Sequence, residues 1–433
     1  MSDTTIHVGL LGCGNVGAAL ARLVDEHADL ITNRAGVPIE ITRVAVQDPT
    51  RRRDVKLAAE RFTTDAAAIV IDPDIDVVVE VIGGVEPARS LITAALGAGK
   101  PVVTGNKELI ATHGPELFEA AAAAGVDLLF EASVAGGIPL IRPLRESLAG
   151  DRIKRVTGIV NGTTNYILTR MTEQGSSFAE ALADAQALGY AEADPTADVE
   201  GHDAAAKAAI IATVAFGARV RLDDVHTEGI TGISDDDIAS ARLLGYVVKL
   251  LAVAEEVDDA VAVRVHPAMV PLQHPLAAVR DSFNAVFIEG EAVGELMLYG
   301  RGAGGGPSAS AVLGDLVDAV RNLGAGGTGA ALTGLVDRPI RPIGDSESQF
   351  YLFMEVADRP GVLAAIAGEF GRHGVSIQSM EQRGLGDDAR LVFITHRARE
   401  QDLRATLAAL REVDPVHRVG SVLRVTGDVG SRP

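Results

Sequence analysis

The 433-residue chain carries a single cysteine, Cys13. One cysteine excludes a disulfide framework and any cysteine-rich zinc site. It fits a reducing compartment, the cytoplasm. Positive charge is also scarce: 39 Lys and Arg stand against 59 Asp and Glu, a net charge of −20. Nucleic acid and anionic membranes are therefore not expected as partners, because either would repel the average surface. No apolar run reaches the roughly 18 residues that a membrane span needs. The start, Met1-Ser2-Asp3-Thr4-Thr5, lacks the basic segment and apolar core of a signal peptide. What is abundant is ordinary for a folded chain: 47% hydrophobic and 23% charged residues, enough for a sizeable core. The length predicts about two to four domains.

The first third alternates short Val/Ile runs with helical patterns. Residues 6–11 read as a strand and 16 to about 28 as a helix. Further strands are expected at 39–46, 76–82, 101–104 and 126–130. Continuous apolar runs joined by helices predict a parallel sheet covered on both faces, a doubly wound α/β domain. From about Glu131 the pattern becomes α+β, with Ala-rich helices near 178–188 and 203–216 and β-like runs at 261–265 and 285–288. A Gly-rich stretch, 300–306, precedes a helix expected at about 310–322, which should pack back on the first domain. The glycines of 324–329 and the prolines at 339 and 342 then mark a linker. The last 80 or so residues restart as βαββαβ, a ferredoxin-like pattern. Its strands are expected at 350–356, 375–380, 390–395 and 422–425, and its helices at 361–373 and 403 to about 410.

Gly12-Cys13-Gly14-Asn15-Val16-Gly17 is G-x-G-x-x-G between a strand and a helix. Gly12 permits a tight turn, Gly14 lets the backbone approach a pyrophosphate, and Gly17 lets helix and sheet pack closely. The helix N-terminus offers its N–H groups to phosphate. This is a Rossmann fingerprint for a nicotinamide dinucleotide, with Gly12, Gly14, Asn15, Val16 and Gly17 as cofactor contacts. The second strand ends at Asp48, which would hold a ribose 2′-OH and favour NAD. Arg51-Arg52-Arg53 follow at once and would instead hold a 2′-phosphate. NAD and NADP both stay open.

Asp203 and Lys207 stand four apart in an Ala-rich helix, hence on one face. Alone they read as an exposed ion pair. Their flanks change that reading. Ala185-x3-Gly189-Tyr190-Ala191-x2-Asp194-Pro195-x2-Asp198-Val199-x-Gly201-x-Asp203-x3-Lys207 resembles the signature of the homoserine dehydrogenase family. Four further stretches resemble the same family: Val103-Thr-Gly105-Asn-Lys107, Phe130–Pro139, Asn161-Gly-Thr-Thr-Asn-Tyr166 and Gly300–Pro307. Together they span roughly residues 6–322.

The resemblance implies NAD(P)-dependent interconversion of L-homoserine and L-aspartate 4-semialdehyde, a step of threonine, methionine and isoleucine biosynthesis. By position, Lys207 is the acid/base, Asp203 orients the substrate, and Glu192 binds its ammonium group. Lys107 relays the proton or sits near the nicotinamide ribose, and Gly105, Gly189 and Gly304 join the cofactor contacts. Carbonyls of Glu131, Val134, Gly136 and Ile138 would hold a monovalent cation, sodium. A homodimer built through the middle domain is implied too.

Asp358-Arg359-Pro360-Gly361 and Val375-Ser376-Ile377 resemble an ACT domain, a small-molecule regulatory module that pairs through its sheet. The helix opening at Gly361 would meet an amino-acid carboxylate. The implied effector is L-threonine, at Asp358, Gly361 and Ile377, and the implied further assembly is a tetramer. A purely structural pairing module is the other reading. The domains expected are 1–130 for NAD(P) binding, 131–322 for catalysis and dimerisation, a linker at 323–347 and an ACT domain at 348–428. No long segment precedes the first strand, so no fused aspartate kinase is expected. An ACT-bearing phosphoglycerate dehydrogenase would need a histidine acid/base where this chain has Asp203 and Lys207. A non-catalytic amino-acid sensor would have no use for intact Lys107, Glu192, Asp203 and Lys207.

Overall fold

A computed structural model describes residues 5–330, 332, 334–384 and 386–427. Residues 331 and 333 of the expected linker, Leu385 within the expected ACT domain, and Asp428, its expected end, lie outside the described residues, as do 1–4.

Strands β1 (Ile6–Leu11), β2 (Ile39–Ala45), β3 (Phe62–Thr63), β4 (Val77–Glu80), β5 (Val102–Thr104) and β6 (Leu128–Leu129) form one parallel sheet. Their order is β3-β2-β1-β4-β5-β6, the doubly wound order. The expected strands are all present, with β6 trimmed to two residues. β3 is an addition, too short to leave a readable apolar run. The helices Asn15–Glu26 and Gly305–Gly324 share one core with this sheet. Leu20 and Val24 of the first, and Val312, Leu316 and Ala319 of the second, pack with Val8, Leu10, Val44 and Val79. Each such Leu or Val side chain contributes about 1.5–3 kcal/mol on burial. The second helix begins at Gly305, not near 310. Gly304 precedes it at φ +121, and Pro307 sits in its first turn. A first-turn proline gives up an N–H that has no helical partner anyway, so the Gly-rich stretch is helical from its middle on.

By contacts the described chain divides into two compact units. One holds residues up to 156, 206–224 and 284–338; the other holds 157–205, 225–283 and 339 onward. Beyond its parallel sheet, the first unit contains β11 (Phe283–Gly290) and β12 (Gly294–Arg301); β7 spans Ile153–Ile159.

In the second unit, β8 (His226–Thr227) pairs with β10 (Ala260–Pro271), which forms a long antiparallel ribbon with β9 (Tyr246–Val257). The C-terminal module contributes β13 (Glu347–Ala357), β14 (Ile377–Gly384), β15 (Asp388–Thr395), β16 (Ala398–Arg399) and β17 (Val416–Val425). β17-β13-β15-β14 is the order of a βαββαβ ferredoxin-like sheet. Helices Val362–Arg372 and Glu400–Arg411 bury Ile366, Phe370, Leu403 and Leu410 against Leu352, Met354 and Phe393. The Phe370 and Phe393 rings lie 5.3 Å apart. β14 starts two residues later than expected and runs to Gly384, because its side chains are mostly exposed and leave no apolar alternation to read. β17 also pairs in parallel with β10, Arg424 opposite Ala268.

Candidate active site

The Gly-rich turn follows β1 directly. Gly12 has φ +99, a conformation glycine adopts without strain. A Cβ on Gly17 would stand 2.1 Å from the Gly12 carbonyl oxygen, so only glycine lets the helix come this close. A Cβ on Gly14 would meet nothing within 4 Å. That face of the turn is open. Gly14 caps the helix Asn15–Glu26 without any side-chain hydrogen bond. The N-terminus of the Gly305–Gly324 helix also comes here: a Cβ on Gly305 would lie 2.9 Å from the Asn15 carbonyl oxygen. Two helix N-termini, each preceded by a bare glycine, thus converge, and their dipoles favour an anion.

Asp48 lies past the end of β2. Its carboxylate accepts from the Thr50 hydroxyl at 2.6 Å and the Thr50 N–H at 2.8 Å, which hold it below the usual carboxylate range. Arg53 folds back over the turn. It donates to the Cys13 carbonyl at 3.3 Å and the Asp48 carbonyl at 2.9 Å, and stacks 5.5 Å from the Phe62 ring centre. Burial raises the Cys13 thiol.

Glu80, fully buried at the end of β4, is a residue that sequence reasoning missed. It accepts from the N–H groups of Ile82 and Gly83 at 2.8 and 3.1 Å and from the Thr104 hydroxyl at 2.6 Å. Thr104 in turn accepts from the Asn106 N–H, and the Asn106 amide donates to the Gly84 carbonyl and caps the helix Lys107–Ala124. Gly105 and exposed Lys107 are therefore fixed by a chain of hydrogen bonds that starts at a buried acid. Its signal was an acid closing a Val-only strand.

The crossover segment Glu131–Ile138 packs on the Gly-rich block. A Cβ on Gly136 would stand 2.3 Å from the Gly302 carbonyl oxygen, and the Gly137 N–H donates to the Arg301 carbonyl at 3.1 Å. Ala135 and Gly136 both have positive φ, 57 and 52. The Glu131 carboxylate accepts from the N–H groups of Leu140, Ile141 and Arg142 at 2.5, 2.8 and 2.7 Å. Buried Asp315 accepts from the Glu131 N–H at 2.8 Å; burial, then the charge of Glu131, pushes it up to about 7. Val134 and Ile138 are buried beside these groups. Among the described residues no cluster of His, Cys, Asp and Glu is arranged to hold a metal.

The helix His202–Phe216 carries Asp203 and Lys207 one turn apart, each only 8% exposed. Exposed-pair behaviour is thereby excluded. The Asn161 side chain accepts from the Thr164 N–H and caps the helix Gly162–Gln174. Its amide nitrogen donates to Asp198 at 2.6 Å and to Asp203 at 2.9 Å. Two acids are thus brought together on one amide. Asp198 and Asn161 lay within quoted motifs but carried no assigned role. Thr163 donates to the Tyr190 carbonyl at 2.7 Å, and the Tyr166 and Tyr190 rings lie 5.0 Å apart. Gly189, at φ +76, ends the helix Phe178–Ala187. Glu192 is exposed in the following loop, its backbone carbonyl held by Gln186 at 3.0 Å.

In the C-terminal module Gly361, at φ +90, caps the helix Val362–Arg372 with no side-chain partner. Asp358 approaches Gln382 at 3.3 Å, and half-buried Ile377 opens β14.

A dinucleotide turn on a doubly wound sheet, and an acid and a lysine buried on one helix, define a nicotinamide-dependent oxidoreductase. The homoserine dehydrogenase family pattern matches residues 139–317, its NAD-binding domain 12–131, and the ACT domain 350–415. The chain is 50% identical to a homoserine dehydrogenase of Corynebacterium glutamicum over 430 residues, 98% of this chain and 96% of that one. It matches the crystal structure of a homoserine dehydrogenase from Thiobacillus denitrificans with a TM-score of 0.92 at 41% identity, covering 98% of each chain. A hyperthermophilic archaeal homoserine dehydrogenase in complex with NADPH matches with a TM-score of 0.63 at 29% identity, over 73% of this chain and 98% of its own. The chain belongs to the homoserine dehydrogenase family. It is an NAD(P)-dependent oxidoreductase with a C-terminal ACT domain, and no helix among its described residues is long and apolar enough to cross a membrane.

Proposed function

We propose that Lys207 is the acid/base for the interconversion of L-homoserine and L-aspartate 4-semialdehyde, and that Asp203 orients the substrate. The observation that carries this is the burial of both side chains on one helix, with Asp203 fixed by Asn161. The bound nicotinamide supplies the hydride acceptor or donor. Towards the alcohol, the Lys207 ammonium polarises the aldehyde oxygen and gives it a proton; towards the aldehyde, the neutral amine takes the hydroxyl proton. Glu192 binds the substrate's ammonium from its exposed loop. Lys107 acts beside the nicotinamide ribose or in the proton relay. Gly12, Gly14, Asn15, Val16, Gly17, Gly105, Gly189 and Gly304 serve the cofactor.

The cofactor is NAD or NADP. Asp48 supports the first and Arg53 the second, and both flank the same turn. Sodium on the carbonyls of Glu131, Val134, Gly136 and Ile138 is supported by the backbone curl at Ala135 and Gly136. The Glu131 carboxylate is already committed to three amides, so ligation falls to its carbonyl. Threonine feedback through Asp358, Gly361 and Ile377 is supported by the bare helix N-terminus at Gly361. We place the domains at 1–130, 131–322 and 348–428 with a linker at 323–347, in a cytoplasmic homodimer that pairs further through its ACT domains.

Initial rates with L-homoserine and NAD or NADP, with and without millimolar L-threonine, test the whole reading. Turnover slowed by threonine is expected. Turnover indifferent to threonine would leave the ACT domain a pairing module. No turnover with either cofactor would refute the L-homoserine reaction and favour the amino-acid sensor.

A further inference from the structure

Arg424, in β17, is 5% exposed, and four of the five N–H donors of its guanidinium meet carboxylates. It donates twice to the Glu228 carboxylate, at 2.8 and 2.8 Å, and twice to Glu400, at 3.0 and 2.8 Å. Glu400 opens a helix of the C-terminal module; Glu228 stands just past β8. Burial alone would raise Glu228, but Arg424 and then His226 hold it well below the usual carboxylate range. Such a buried cluster adds little net stability over apolar residues of the same size. What it does supply is geometry, since a planar fork fixes distance and direction at once.

The fixed object is the chain after Glu228. The Glu228 N–H donates to the Val265 carbonyl at 2.8 Å. At Gly229 a Cβ would stand 2.3 Å from the Val199 carbonyl oxygen and 2.6 Å from the Glu200 Cα, so the two backbones are in contact. The Ile230 N–H donates to that same Val199 carbonyl at 2.8 Å, and the Thr231 hydroxyl donates to Glu200 at 3.0 Å. Val199 and Glu200 lie between Asp198 and Asp203, the two acids that share the Asn161 amide. From Arg424 to those acids the route is hydrogen bonds and backbone contact, all within one compact unit.

We propose that Arg424 is a positioning residue for the substrate. Through Glu228, Gly229 and Ile230 it sets the Val199–Glu200 backbone and hence the aim of Asp203. The proposal rests on the reading of Asp203 as a substrate ligand. A misplacement of about 1 Å at such a ligand is enough for a change of up to about a hundredfold in rate. Neither β17 nor β8 carries a cofactor residue, so cofactor affinity is outside the effect.

The test is steady-state kinetics of Arg424→Lys, which keeps the charge but loses the fork, beside Asp203→Asn and the double variant. Arg424→Lys is expected to raise KM for L-homoserine about tenfold and leave KM for the cofactor unchanged. The double variant should be no worse than Asp203→Asn alone, because residues acting as one unit are not additive. A homoserine KM unchanged in Arg424→Lys, or fully additive effects, would overturn the proposal while leaving the Asp203 reading intact. An unchanged KM in Asp203→Asn would overturn both. Should Arg424→Lys fail to fold, Glu228→Gln carries the test, because it keeps the side chain's length and the Glu228 backbone while giving up one arm of the Arg424 fork. It is expected to raise homoserine KM a few fold, and no change would overturn the proposal.

Discussion

Alanine at Gly14 and alanine at Gly17 should fail in opposite ways. The two positions are three residues apart in one turn, yet their surroundings differ. At Gly17 the new Cβ lands 2.1 Å from a backbone oxygen that cannot swing aside. Overpacking of this kind costs about 1–3 kcal/mol, against about 1 kcal/mol regained from helix propensity. At Gly14 the methyl enters open space, so folding is nearly untouched. It does occupy the face where a pyrophosphate would meet backbone N–H groups. Losing one hydrogen bond to a charged group costs about 1.5–3 kcal/mol, a weakening of about ten- to a hundredfold. Calorimetry without cofactor and titration of NADPH fluorescence separate the two. Gly17→Ala should lower Tm by several degrees. Gly14→Ala should keep Tm and weaken NADPH binding at least tenfold. Tight NADPH binding by Gly14→Ala, within twofold of the native chain, would refute the assignment of the turn.

Lys207→Ala should lose most of kcat while the cofactor Kd, read by the same titration, stays put. Asp48→Ala should raise KM for NAD more than for NADP; equal changes would show that Asp48 does not read the 2′ position. Asn161→Ala should free Asp198 and Asp203 from their common donor and raise KM for L-homoserine severalfold without altering cofactor affinity. Lys249 is buried, donates to Asn165 at 2.8 Å, and is pushed down by burial to about 8. Its folded pKa lies below its unfolded one, so the unfolded chain binds more protons between about pH 8 and 10.5. Stability should therefore rise with pH across that window, by up to about 3 kcal/mol, and urea unfolding of Lys249→Met should show that rise reduced.

The strands of the parallel sheet were readable because burial on both faces makes each a continuous Val/Ile run, as at 77–80. β14 was misplaced because its exposed side chains carry no such constraint. The start of the Gly305–Gly324 helix was missed because glycine and proline mean turn almost everywhere except in a first helical turn. At the site, the glycines of the turn were legible because close backbone approach leaves a local mark; the spacing of Asp203 and Lys207 showed one helix face, but their burial was not readable from it. Glu80 and Asn161 were not, since their partners lie 24 and 42 residues away and nothing local announces them. Arg424 is the extreme case: its partner Glu228 is 196 residues distant.

The packing of Gly305 against Asn15 sets a schedule for synthesis. On the ribosome the first 130 residues emerge with the whole cofactor fingerprint already in them. Yet the core that covers Leu20, Val24 and Ile31 is completed only by Val312, Leu316 and Ala319. Until residue 324 or so has cleared the exit tunnel, the nascent sheet keeps an apolar flank open to water and chaperones. The dinucleotide turn is thus written early and finished late, and a message cut short before the Gly-rich block leaves that core without its last helix.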